Sequence, residues 1–253
     1  MADRQIPTDP NLSKAASVAG LTKVGRDSLQ ERVYQELRRS LFHGVFEAGQ
    51  VMRMQALADT LDVSMMPVRE ALARLVSEQA LEVLPSRSVR VPLITQERLN
   101  DLAHARCLIE GELVRMAVAN LTRADIRGLR DLTEQCEAAF ANLSPDQAVQ
   151  TSMLNHDFHY AIYGAARSSV LLPVAQSLWL QSGPYVRAAA TIYGRTPGLT
   201  AVHHHWALVE ALDQRDAAAA VTALHQDITQ SFNLIRADLL RDATKQEGKA
   251  GNG

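Results

Sequence analysis

Three short stretches concentrate the side chains of this 253-residue chain that can bind ions or move protons. They are Asn155-His156-Asp157-Phe158-His159, His203-His204-His205-Trp206-Ala207-Leu208 and His225-Gln226-Asp227-Ile228. Asn155 and His159 stand four apart, so on a helix they share one face. Neutral imidazoles and a carboxylate converging from three helices can hold a divalent metal. The same groups can hold an anionic ligand through hydrogen bonds. His203 and His204 read as solvent-facing, and His156 as lying on the outer face of its helix. Upstream, Arg106 sits near Ala105 and Ile109 on an inward face and requires an anionic partner. Glu110, one turn later, can be that partner with no ligand involved. The alternative partner is the carboxylate of a bound small molecule. Tyr163, one turn beyond His159, is placed to face the same cavity.

These groups must be positioned by helices. Thr95 caps a long segment in which Leu99, Leu102, Ala105, Leu108, Ile109, Leu113 and Met116 recur every three or four residues. Thr122 starts another, with Ile126, Leu129, Leu132, Cys136 and Phe140 inward. Ser144-Pro145 reads as an N-cap followed by a first-turn proline, opening a helix to about Ala166. Ser168 begins the next, which Pro173 is expected to bend and Gly183-Pro184 to break before Tyr185. Gly194 to Gly198 reads as a turn, and two final helices are predicted over 200–213 and 215–241. No strand pattern and no internal repeat follow residue 93.

The first part of the chain has a different pattern. Ser28-Leu29-Gln30-Glu31 has the spacing of a capping box, and Leu29, Val33, Leu37 and Leu41 carry a helix to Gly44. Gly44 and Gly49 bracket a turn. Gln55 to Leu61 reads as a second helix. Val63-Ser64-Met65-Met66-Pro67-Val68-Arg69-Glu70-Ala71-Leu72 reads as a tight turn and a third helix. Its expected features are a Ser64 cap, Pro67 in the first turn and a stripe of Val68, Ala71, Leu72 and Leu75. Arg69 and Arg74 lie off that stripe. Leu81 to Leu84 and Val89 to Leu93 alternate like strands, joined by Pro85-Ser86-Arg87-Ser88 with a cation at the tip. Three helices and a basic hairpin describe a winged helix-turn-helix, which places its third helix in the DNA major groove.

The segment over residues 28–93 resembles the GntR family of bacterial transcription regulators. The likeness is carried by Leu41, Gly44, Gly49, Leu57-Ala58, Leu61, Val63-Ser64, Pro67-Val68-Arg69-Glu70-Ala71-Leu72 and Leu75. It implies DNA contacts from Ser64, Met65, Pro67, Arg69, Arg74, Arg87 and Arg53. Met65 and Gln55 stand where many members carry arginine. Residues 96–240 resemble the helical effector domain of the FCD branch. That likeness rests on Arg106 and Glu110, on Asn155-x-x-Phe158-His159, and on His205-x-x-Leu208 with Ala211 and Asp216. Asn155 replaces the usual Asp. Asp227, 22 residues after His205, falls where the last His is expected. The resemblance therefore implies a metal set of His159, His205, Asp227 and Asn155 for Zn, Ni or Mn. It implies an effector set of Arg106, Glu110, Tyr163 and Asn155, suited to organic acids.

Composition constrains the partners. The whole chain carries a net charge of -2, and residues 26–95 balance nine Arg against nine Asp plus Glu. DNA binding must then come from local placement of arginine, not from bulk charge. Residues 96–242 hold twelve Arg and sixteen acids, which argues against a DNA-binding surface there. Cys107 and Cys136 form no metal-type pair and read as reduced thiols of a cytoplasmic protein. No apolar run approaches the ~20 residues needed to span a bilayer, and the N-terminus lacks a signal-peptide core.

The expected organisation is mostly α. A flexible arm (1–25) precedes a winged helix-turn-helix (26–94), an all-helical bundle for effector binding and dimerisation (95–242), and a disordered tail (243–253). The expected function is a ligand-responsive repressor or activator that binds a near-palindromic double-stranded operator as a homodimer, since each winged helix covers one half-site. The competing reading is a metal-dependent small-molecule enzyme built on the His/Asp cluster. Against it, the chain has no nucleophile elbow, no His-Glu-x-x-His and no phosphate loop, and an enzyme has no use for a winged helix.

Overall fold

The computed structural model describes residues 29–142, 144–196 and 202–250, with side chains to 241. The elements run α1 (Leu29–Phe42), β1 (Val51–Met52), α2 (Met54–Leu61), α3 (Met65–Ser77), β2 (Glu82–Val83) and β3 (Val89–Arg90), then six further helices. These are α4 (Gln96–Ala117), α5 (Arg123–Ala141), α6 (Gln147–Ala165), α7 (Leu171–Arg195), α8 (Val202–Asp213) and α9 (Ala217–Ala250). The mostly helical class and the winged helix-turn-helix are as the sequence predicts.

In the head, Val68, Ala71, Leu72 and Leu75 of α3 are buried against Val33, Tyr34, Leu37 and Leu41 of α1. The wing is an antiparallel sheet in the order β1-β3-β2, with Arg90 opposite both Val51 and Glu82. The two-residue β1 is too short to show alternation, and sequence reading missed it. The expected Ser64 cap is not made: Ser64 holds the N-cap position with no side-chain hydrogen bond. The capping box at Ser28 lies partly outside the described residues.

In the bundle, Thr95 accepts a hydrogen bond from the Arg98 amide, and Thr122 with Asp125 closes a full capping box. Four details depart from expectation. Helix α6 opens after Asp146, and the Ser144 hydroxyl has no partner among the described residues. Leu108 points outward at 60% exposure, because the buried face of α4 is occupied by Arg106 and Glu110 instead. Helix α7 runs unbroken through Pro184, losing one backbone N–H but staying packed on both sides. Helix α9 continues to Ala250, where a tail from 243 was expected. Part of the expected 194–198 turn lies outside the described residues.

The head is seated on α7. A Cβ on Gly183 would lie 1.9 Å from the Leu41 carbonyl oxygen, so only glycine permits this approach. Arg187 donates to the Gly44 carbonyl at 2.8 Å and to Glu47 at 2.9 Å. Arg98 donates to the Gln79 carbonyl and to Gln181, both at 3.0 Å.

Candidate functional site

The DNA-facing candidates sit on the rim of the head. Ser64, Met65 and Arg69 are exposed along the start of α3, while Pro67 beside them is buried. Arg53 is exposed at the N-cap of α2. Arg87 occupies the wing tip in a left-handed conformation (φ 61°), within a turn closed by its amide on the Leu84 carbonyl at 2.8 Å. Arg53, Arg69 and Arg87 make no side-chain hydrogen bond or ion pair with any described residue. Arg74 differs. Its guanidinium lies 3.5 Å above the Tyr34 ring and bonds Glu31 at 2.8 Å and Glu78 at 3.2 Å. It faces α1 and is held there by these three contacts, with its side chain half-exposed.

The second constellation is in the core of the bundle. Helix α4 supplies Arg106 and Glu110, which are 3% and 0% exposed and form a two-pronged pair at 2.6 and 3.1 Å. Burial disfavours the Arg106 charge, but Glu110 outweighs it and holds the guanidinium ionised. Arg106 also stacks over Trp179 of α7 at 4.3 Å. The Tyr163 hydroxyl donates to Glu110 at 2.5 Å and lies 3.2 Å from His159 Nδ1.

That geometry sets the tautomer of His159. The Tyr163 proton goes to Glu110, so in the neutral ring His159 Nδ1 must be the donor to the Tyr163 oxygen. Nε2 then carries a lone pair, and it lies 3.2 Å from Asp227 Oδ2 without hydrogen-bond alignment. Two acceptors at that distance require a proton or a cation between them. His205 adds to the same point. Its Nε2 reaches Asn155 Oδ1 at 3.2 Å, and its ring stacks on Phe158 at 4.0 Å. Its Nδ1, like Asp227 Oδ1, is buried with no hydrogen-bond partner among the described residues. Ligand atoms of His159, His205 and Asp227 all lie within 4.8 Å of one another. Burial pushes His205 down to about 4, so its ring is neutral at neutral pH and competent to ligate. For Asp227, burial raises the carboxyl, and only protonation of His159 and His205 lowers it below the usual carboxylate range. An imidazole, imidazole and carboxylate set with orphaned lone pairs fits a divalent metal.

A cavity of about 40 Å³ adjoins this point, lined by Arg106, Asn155, Asp227, Ser152, Tyr193 and Phe232 among others. Arg106 and Asn155 of the expected effector set therefore border it. Glu110 and Tyr163 do not: they are fully buried behind Arg106 and act as its support. The closed Arg106–Glu110 pair, the alternative to a free ligand contact, is what the structure shows. The space holds a few waters, so a larger ligand must displace side chains. Sequence reading missed Trp179, Tyr193 and Phe232, whose inward faces are set by tertiary packing alone.

The remaining histidines resolve simply. His225 Nε2 bonds the Cys107 carbonyl at 2.9 Å, away from the trio. His203 is exposed, while His204 is half-buried with Gln230 at 2.6 Å. His156 is not on an outer face: it stacks on Tyr160 at 4.2 Å and meets Phe42 and Trp179. Both cysteines are free thiols, and burial pushes Cys136 up to about 12.

Residues 29–91 match the family described as bacterial regulatory proteins, gntR family, and residues 101–230 match the FCD domain. The chain is a GntR-family transcription regulator with an FCD domain. It is 28% identical over 216 residues to the HTH-type transcriptional regulator McbR of Escherichia coli (strain K12), covering 85% of this chain and 96% of that protein. It is 32% identical over 169 residues to the Glc operon transcriptional activator of the same strain, covering 60% of this chain and 66% of that one. The solved structure of E. coli McbR/YncC superposes with a TM-score of 0.74 at 27% identity, covering 85% of this chain and all of that one. Both of these curated relatives are transcription regulators. Among the described residues of this GntR protein, no helix is long and apolar enough to cross a membrane.

Proposed function

We propose that this GntR regulator binds a near-palindromic operator as a homodimer and responds to a small carboxylate held beside a divalent metal in its FCD cavity. The observation that carries the reading is the set of orphaned lone pairs on His159, His205 and Asp227 next to Arg106. The buried ions Arg106, Glu110 and Asp227 leave one negative charge in excess. A dication reverses that sign, and a monocarboxylate then restores neutrality in a low-dielectric site. When bound, the metal supplies Lewis-acid positions for a carboxylate oxygen. Arg106 orients the ligand, and Asn155 holds the His205 ring. Arg69 and Arg87, exposed and unpaired among the described residues, are the donors for base edges and backbone.

Helix α7 supports the coupling. Tyr185, Val186, Ala189, Ala190 and Tyr193 line the cavity, while Gly183 and Arg187 hold the head. A ligand that binds one placement of α7 better than another shifts the placement of the DNA-reading surface.

The test is a thermal-shift and calorimetric screen of organic acids and their amides against metal-loaded and chelated protein. Acids are expected to raise the melting temperature in the loaded form, with amides inert and chelation abolishing the response. Binding of neutral compounds but not acids would overturn the carboxylate. Equal acid binding after chelation would overturn the metal.

A further inference from the structure

A second group of ligating side chains lies outside the FCD cavity, where the winged helix-turn-helix meets the bundle. His43 sits in the turn that ends α1, and His156 and Asp157 sit at the middle of α6. The two imidazoles meet edge to face with ring centroids 5.5 Å apart. His156 Nδ1 lies 3.1 Å from Asp157 Oδ1. One ligand atom from each of the three lies within 4.8 Å of the others. His43 and His156 border a solvent-open groove of about 690 Å³ between the domains, together with Phe42 and Tyr160. The buried Tyr160 hydroxyl, on the ring stacked against His156, has no hydrogen-bond partner among the described residues.

Packing accounts for aromatic rings at this seam but not for their chemistry. Phenyl rings would fill the same space without bringing two imidazoles and a carboxylate to one point. Two half-buried imidazoles and an exposed carboxylate, open to water on one side, are a ligand set for zinc, nickel or cobalt with a position left for solvent. We propose that His43, His156 and Asp157 form a second transition-metal site that ties the DNA-reading head to the FCD domain.

The ligands belong to different domains, so this site exists only while the head is docked on α6 and α7. Metal binding then stabilises that docking by mass action. Metal concentration thereby biases the placement of the recognition helix, independently of the effector cavity. No residue is shared between the two sites, although α6 contributes to both.

The experiment uses the untagged full chain, stripped with a chelator and dialysed to equilibrium against zinc or cobalt, with bound metal counted per chain. His43→Gln and Asp157→Asn each remove one ligand at a position open to solvent. Their melting temperatures in chelator should match the wild type, which verifies the fold. Each variant is expected to hold one equivalent fewer than the wild type and to lose the corresponding metal-dependent rise in melting temperature. Wild-type stoichiometry in both variants overturns the seam site. His205→Asn separates it from the cavity. If that variant loses one equivalent and keeps another that His43→Gln removes, both sites stand. If the wild type binds a single metal that His205→Asn abolishes, the seam site falls and the cavity reading stands. If the wild type binds no metal, both fall.

Discussion

Arg69 of the head and Arg106 of the bundle each sit beside an apolar helical stripe, and the two domains use them in opposite ways. Arg69 is exposed and makes no ion pair among the described residues. Its helix is held by Val68, Leu72 and Leu75 beneath it. Arg106 is 3% exposed, stacked on Trp179 and paired with Glu110. On the proposed roles, the head carries recognition on top of a finished core, whereas the FCD domain builds its recognition groups into the core itself. Mutations should therefore separate binding from stability in the first domain and entangle them in the second.

The largest effect expected from that contrast is on Glu110. Glu110→Ala leaves Arg106 charged, buried and without its main acceptor, and removes the carboxylate to which Tyr163 donates. Breaking one side of a buried pair costs about 3–5 kcal/mol, readable by denaturant unfolding. Replacing both partners, Arg106→Met with Glu110→Leu, should recover most of that stability, because no charge is then stranded. The double variant should still lose its response to organic acids. A cost below about 1 kcal/mol for Glu110→Ala would mean that Arg106 finds solvent or another partner, and the contrast would collapse.

The head should behave in the other way. Arg69→Ala is expected to weaken operator binding by about 1–3 kcal/mol, the scale of one good base contact. Its unfolding free energy should stay within about 0.5 kcal/mol of wild type. Arg87→Ala should weaken binding less selectively and lower the salt dependence by about one unit of slope, as for a phosphate contact. Titrations at several salt concentrations on operator and on random DNA check both. An Arg69 variant that melts early, or that binds operator normally, would move Arg69 out of the recognition surface.

How much of this was legible in the chain differs between the domains for the same reason. The α3 stripe, the Gly44 and Gly49 turns and the basic hairpin are local patterns, and they predict the head closely. That Asp227 lies beside His159 and His205 agrees with what the FCD resemblance implies. What local pattern could not show is tertiary. Leu108 and Arg106 both fit a helical period, and only packing against α7 and α9 decides which one turns inward. Gly183-Pro184 reads as a break, yet those residues are where α7 meets Leu41, and the glycine is there for the approach. His156 carries no local sign that a second domain covers it.

Arg74 gives the smallest expected effect and the sharpest test of the boundary between the two uses of arginine. By sequence it stands with Arg69 as a DNA contact, off the apolar stripe and on the same helix. In the structure it lies over the Tyr34 ring and bridges Glu31 and Glu78, while the Tyr34 hydroxyl donates to Glu78 at 2.8 Å. The pairs are half-exposed and screened, so they add little. The cation over the aromatic face contributes about 0.5–1 kcal/mol at such a site. Arg74→Ala should therefore lower stability by that small amount and leave operator affinity and its salt slope unchanged. Arg74→Lys should recover little of the loss, because an ammonium cannot stack on the ring and bridge two carboxylates as the planar guanidinium does. If Arg74→Ala instead weakens operator binding without shifting the unfolding curve, Arg74 leaves Tyr34 to reach DNA, and the head holds its arginines in reserve rather than committing them to its core.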